Sequence, residues 1–239
     1  MDIVSRVAAA ACATPRYDMY AGIHKALRAF MSDTLTLVGR CDWEDEVDSG
    51  RALAQLADLL AICEVHVHDE NVFVHPAIEA RRPGVSSRVA GEHEHHLEEL
   101  RELRSAAAEV ERLRGAARQR AGHALHLELA LFIAANFVHM NHEETAHNAA
   151  LREAYTDEEL AAIEAGLVAT IPPEAMALIA PWMLRNLCHQ ERVELLSGMR
   201  EGAPQEAFEG MLALAASQLP ARDWAKLAQA MDLPLARAA

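Results

Sequence analysis

The sequence predicts an all-α protein: an antiparallel up-down four-helix bundle over residues 1–155, then a C-terminal helical extension over 156–239 packed on the bundle. Three observations predict it. Alanine, leucine and glutamate dominate, β-branched runs are short, and no strand-like alternation persists. Four long segments carry apolar residues at helical spacing and are joined by short links. Histidine is concentrated in the same region, with only His189 lying beyond His147.

Thr14-Pro15 reads as a cap followed by proline at the first helical position, opening a helix to about Gly39 with Tyr20, His24, Leu27 and Met31 on one stripe. The acidic stretch from Cys41 to Gly50 reads as a solvated loop, since it lacks the ligand spacing of a calcium hand. A second helix is expected from about Ser49 to Ala80, with Leu56, Leu59, Cys63, His66, Glu70 and Phe73 inward and Pro76 as a kink or end. Arg82-Pro83-Gly84 is a turn. A third helix runs from about Ser86 to Leu113 with Val89, His93, Leu100 and Leu103 inward, and Gly115 marks a short connection. The fourth spans about Arg118 to Arg152 with Leu125, Leu129, Phe132, Asn136, His139 and Glu143 inward. Beyond it, Thr156-Asp157-Glu158-Glu159 is a capping box opening a helix to about Leu167. Pro172-Pro173 opens the next, to about Leu187, and further helices follow around 190–199, 204–218 and 220–231, with Trp182, Phe208 and Trp224 as packing anchors.

Composition narrows the function. A hydrophobic share of 51% with 24% charged residues suits a globular chain with a sizeable core. A net charge of -14 argues against nucleic acid and against anionic lipid, both of which attract Lys and Arg. Cys12, Cys41, Cys63 and Cys188 are scattered with no Cys-x-x-Cys pair, so neither a thiolate zinc site nor a redox dithiol is expected, and a reducing cytoplasm is the default compartment. The alanine-rich run Val7–Ala13 is weak as a signal peptide, and no segment reads as long enough to span a membrane.

The chemistry gathers around two His-x-x-x-Glu pairs, His66/Glu70 and His139/Glu143. On a helix, residues four apart share a face, so each pair points nitrogen and carboxylate donors into an apolar stripe. Buried ionisable groups are costly unless paired or bound to metal. Depth adds to this. His24 lies about 15 residues before the end of the first helix and His66 about 16 after the start of the second; His93 and His139 match likewise at about 20 and 21, so at 1.5 Å per residue each antiparallel pair agrees to roughly 2 Å. The predicted metal ligands are His24, His66, Glu70, His93, His139 and Glu143, with His24 and His66 on one ion, His93 and His139 on the other, and the glutamates bridging. Imidazole with carboxylate suits iron, manganese or zinc better than magnesium or calcium. His96 also falls on the inner stripe and rivals His93, while His95 faces solvent. His68, His123, His126 and His142 read as surface or supporting groups, His75 as a helix-end residue, His147 as solvated in preference to a supporting group one turn beyond Glu143, Cys63 as a core residue, and Tyr20 as packing in preference to a hydrogen bond near the site.

Ile23-His24-Lys25-Ala26-Leu27-Arg28, His66-x-x-x-Glu70 leading into Phe73-Val74-His75-Pro76, Glu92-His93, and His139-x-x-x-Glu143 together resemble the hemerythrin-like, or HHE cation-binding, domain over about residues 15–155. The resemblance implies an up-down bundle holding a non-haem di-iron site used for oxygen binding or for iron, oxygen or redox sensing; the expected function is a di-iron protein, with Zn or Mn as alternative metals, that binds or senses O2, peroxide, NO or iron. Oxygen-carrying hemerythrins have a second histidine one turn after the third-helix ligand; here that position is Leu97. Metal binding is therefore expected, and reversible oxygen transport is not. The alternatives are a di-iron enzyme that decomposes peroxide or activates oxygen, and a signalling module with a structural metal whose C-terminal helices meet a protein partner. Neither nucleic acid nor membrane is an expected partner.

Overall fold

The computed structural model describes residues 2–11 and 16–233, and among them every regular element is helical. The chain is all-α, as its composition predicts. A short helix, α1 (Ile3–Ala11), covers part of the alanine-rich N-terminal run, and the expected cap at Thr14-Pro15 lies outside the described residues. The next helix, α2 (Ala21–Gly39), is instead entered through Asp18, whose carboxylate accepts from the backbone N–H groups of Tyr20 and Ala21.

The expected second helix is two helices joined by a π-helical turn. α3 (Glu46–Asp69) passes through the π turn Glu70–Val74 into α4 (His75–Arg81). Pro76 does not end the run. It sits in the first turn of α4, where its missing N–H costs least. After α5 (Ser87–Arg112) the expected fourth helix repeats the arrangement: α6 (Gly115–His142), a π turn at Glu143–His147, then α7 (Asn148–Ala154). The acidic stretch is partly helix. Asp45 caps α3 by accepting from the N–H groups of Val47 and Asp48, and the carboxylates of Glu46 and Asp48 favour the positive end of the helix dipole.

Helices α2, α3, α5 and α6 touch in a closed ring: α2 on α3, α3 on α5, α5 on α6 and α6 on α2. Leu27, Leu56, Leu59, Leu100, Leu125 and Leu129 fill the space between them and are buried. The continuous run 115–154 is long and apolar enough to cross a membrane by length and composition, contrary to the sequence reading. Its inner stripe of Leu125, Leu129, Phe132 and Ile133 lies in this shared core, while Leu127, Leu131 and Val138 face outward.

The remaining helices are α8 (Asp157–Val168), opened by the Thr156–Glu159 capping box, α9 (Pro173–Asn186), α10 (His189–Gly202), α11 (Gln205–Gln218) and α12 (Ala221–Ala230). α9 packs on α2 and α3, placing Ala175 and Ile179 in the main core and stacking Trp182 on Phe30 with ring centroids 4.4 Å apart. Phe208 and Trp224 belong to a second core with Leu184, Leu196 and Leu227.

Trp43, before α3, is buried against α6 at Gly122. A Cβ there would run into the indole ring itself, which cannot flex away as an aliphatic chain end would. Gly122→Ala is expected to destabilise the fold by about 1–3 kcal/mol, as overpacking does, lowering Tm by roughly 2–4 °C per kcal/mol. Adding Trp43→Leu should recover part of that loss in thermal melts. An unchanged Tm in the single variant would mean the helices are not held this close.

Candidate metal centre

Each π turn begins at a glutamate of a His-x-x-x-Glu pair. The His75 N–H reaches back five residues to the Glu70 carbonyl, and the Asn148 N–H reaches back five to that of Glu143. Single π turns inside α-helices occur often at functional sites. Here the turn has a geometric effect. In an uninterrupted α-helix His75 would lie about 140° around from Glu70; the wider turn returns it to the inner face, where it is buried.

All six predicted ligands meet in one buried layer, in two overlapping groups. His24, His66, Glu70 and Glu143 form the first, and Glu70, His93, His139 and Glu143 the second; in each, one donor atom per residue lies within 4.8 Å of the others. The Nε2 atoms of His24 and His66 are 3.3 Å apart, and those of His93 and His139 are 3.0 Å apart. Two nitrogens bound about 2.1 Å from one ion at a right angle would stand roughly 3 Å apart. The carboxylates span the two groups. Glu70 Oε1 is 3.3 Å from His66 and Glu70 Oε2 is 3.2 Å from His93; Glu143 Oε1 is 3.3 Å from His139 and Glu143 Oε2 is 3.6 Å from His24. None of these four buried oxygens has an aligned hydrogen-bond donor. Leaving such atoms unsatisfied is costly, and a cation between the imidazoles and carboxylates removes the cost. The donor set therefore fits a metal ion.

Three of the four imidazoles are oriented from behind. His24 Nδ1 is 3.2 Å from Glu144, whose carboxylate also accepts from both terminal nitrogens of Arg28. His93 Nδ1 is 2.9 Å from the Asn71 side-chain oxygen, and His139 Nδ1 is 2.8 Å from Glu92, itself paired with Arg88. Such partners fix the ring and its tautomer and leave Nε2 toward the metal. Each is the chain neighbour of a cluster residue: Asn71 follows Glu70, Glu144 follows Glu143, and Glu92 precedes His93. Each thus steadies a ligand on a different helix.

The electrostatics are those of a site built for positive charge. Burial works against a charged Glu70, but His66, His24 and His93 outweigh it and hold the carboxyl well below its usual range. Burial, then the charge of Glu70, pushes Glu143 up to about 7. Burial also opposes a charged His24, yet the hydrogen bond to Glu144 and the nearby Glu70 and Glu143 carry it to about 9. Burial lowers His66 to about 4. Without a cation, protons on His24 and Glu143 do part of its work.

The structure brings His93, rather than His96, to the clusters. His96 is buried one turn away, its ring edge-on to His139 at 4.7 Å, and His95 is exposed beside Glu99. Cys63 is a buried core residue whose thiol burial pushes up to about 12. Two expectations are corrected. His75 is not a helix-end residue, and His147 is not solvated; both are buried, and with Glu143 they form a third group of potential donors. His75 stacks on His93 at 4.9 Å and meets His147 edge-on at 5.6 Å. The Tyr20 hydroxyl lies 3.3 Å from His147 Nδ1, so Tyr20 does more than pack. His147 continues the four-residue spacing of His139 and Glu143, a signal present in the sequence. His75 had none, because only the π turn brings it inside.

No family model, curated protein or solved structure matches the chain. The site is read from its own chemistry.

Because His24 and Glu143 hold protons until about pH 9 and 7, an entering cation must displace them. Titrating metal-depleted protein with Co(II) should release protons. Affinity should rise with pH from about 6 to about 9 and level off above, as ligands that must deprotonate require. An affinity flat across that range would exclude these two residues as donors.

Proposed function

We propose that the chain is a hemerythrin-like protein in which α2, α3, α5 and α6 form an up-down four-helix bundle around a dinuclear non-haem iron centre that binds or senses oxygen, peroxide or nitric oxide. One observation carries the reading: two overlapping donor groups share both glutamates, each with two imidazoles of its own. Manganese or zinc suits the same donors. A bound iron pair supplies redox chemistry and coordination positions that six protein groups leave open.

The chain's own residues shape what happens there. Glu144, Asn71 and Glu92 hold three imidazoles in place, so little rearrangement is needed on loading. Burial keeps the layer away from bulk water, which strengthens every charge interaction inside it. Leu97 offers no donor on α5 and packs on the core. This favours sensing or turnover over reversible oxygen carriage.

A second reading, a peroxide-decomposing enzyme, is favoured by Tyr20, His147 and His75. Burial holds both histidines near 4, so their rings are neutral, each with one N–H to donate and one bare nitrogen to accept a hydrogen bond beside the clusters. Their Nε2 atoms have no other hydrogen-bond partner.

Iron-replete expression followed by metal analysis and aerobic and anaerobic spectra tests the proposal. We expect about two metals per chain, as in di-iron carboxylate bundles, and an oxygen-dependent visible band. Both should be lost in Glu70→Ala and kept in His95→Ala. A metal-free wild type would sink the proposal. Steady peroxide consumption, abolished in His147→Phe with metal content unchanged, would select the enzyme.

A further inference from the structure

A cavity of about 650 Å³ lies between α2 and α3 on one side and α8 to α11 on the other. His66 and Glu70 stand at its wall, so it reaches the candidate metal centre directly. His66 is also the least buried of the six cluster residues, with 14% of its side chain accessible. Away from that end the lining is almost wholly aliphatic. Ile23, Val65 and Ile179 line it with the methionines Met176, Met199 and Met211, whose unbranched thioethers adapt to irregular shapes. A concave, mostly apolar space of this size with a few polar groups at one side is the usual form of a small-molecule site.

Charge narrows the ligand. The ionisable groups on the lining besides His66 and Tyr20 are Asp69, Glu70 and Glu164, and neither lysine nor arginine is among them. Glu164 already accepts a hydrogen bond from Tyr17. In the metal-free protein an anionic head group entering here would be stripped of water without a cation to meet it and would face carboxylates. A cationic head would lose its hydration, would find Glu164 already engaged by Tyr17, and would be repelled by a metal pair held at His66 and Glu70. An uncharged chain loses neither.

We propose that this cavity binds an elongated, electrically neutral aliphatic molecule of the long-chain alcohol class, seated with one end beside His66 and Glu70. Binding itself needs no metal; that the seated end would be presented to a metal pair rests on the proposed function above. The C-terminal helices then have a defined task. α8 to α11 are the outer wall of a ligand chamber whose inner wall is α2 and α3.

The test uses the full chain and 1-hexadecanol as probe, measured by displacement of Nile red, with palmitate and hexadecylamine as charged counterparts of equal chain length. Hexadecanol should displace the dye at one per chain. Palmitate on metal-depleted protein, and hexadecylamine on metal-loaded protein, should each bind about tenfold more weakly than hexadecanol or worse. Val65→Phe from the α3 wall and Met199→Trp from the α10 wall should each weaken hexadecanol about tenfold with Tm kept near wild type. Glu164→Gln should narrow the gap between palmitate and hexadecanol. The proposal is overturned by absent or non-stoichiometric displacement, by undiminished binding in a folded filling variant, or by palmitate binding metal-depleted protein, or hexadecylamine metal-loaded protein, as well as the alcohol does. If one filling variant fails to fold, the other and the wild-type ligand order still decide. Metal content of the same preparations separates the two readings. Metal without hexadecanol binding overturns only the chamber, and hexadecanol binding without metal overturns only the iron centre.

Discussion

The structure depends on one electrostatic constraint: two carboxylates and four imidazoles are gathered in one layer, all of them buried but His66, which is partly accessible. Each carboxylate alone would be forbidding to bury. His66, His24 and His93 hold Glu70 ionised against its burial, while burial and then the charge of Glu70 drive Glu143 toward its protonated form. The imidazoles offset part of this, yet their nitrogens are not aligned to donate to the glutamate oxygens. The donor atoms face one another closely enough that they could hold a metal ion.

Local backbone geometry serves that layer. Both glutamates sit where an α-helix widens into a π turn, and each glutamate carbonyl accepts the i+5 N–H that closes the turn. The two occurrences are on different helices and in different sequence contexts, one followed by Pro76 and the other by Ala149 with no proline near. Proline is therefore not the common cause. What they share is the inward placement of a histidine, His75 or His147, beside the layer. Widening the helix brings in a group that a regular helix holding the same glutamate would aim elsewhere or hold farther off.

The C-terminal third is bound up with the site. α9 contributes to the same core as α2 and α3, while α8, α10 and α11 complete a chamber that reaches His66 and Glu70. A helix that merely covered an apolar stripe would leave no such space. The five methionines along the chamber keep it lined but unfilled. Access to the buried layer thus runs past hydrocarbon rather than through bulk solvent.

Much of the helical content and the six clustered residues were legible in the sequence, because both follow from a 3.6-residue period. His66 with Glu70 and His139 with Glu143 announce their face by spacing, and counting residues to the turns set His24 and His93 at the same depth. His147 was legible by the same rule, four residues beyond Glu143, although the sequence favoured a solvated place for it. The choice of His93 over His96 needed the packing of α5 on α3 and α6, since both lie near the inner stripe. His75 was invisible, because sequence period cannot register a π turn. Trp43 against Gly122, the partners that cross from helix to helix, and the chamber walled by α8 to α11 were likewise decided in three dimensions. Periodicity fixes which side of a helix a residue occupies; only packing fixes which other helix it meets there, and whether the space between them is filled.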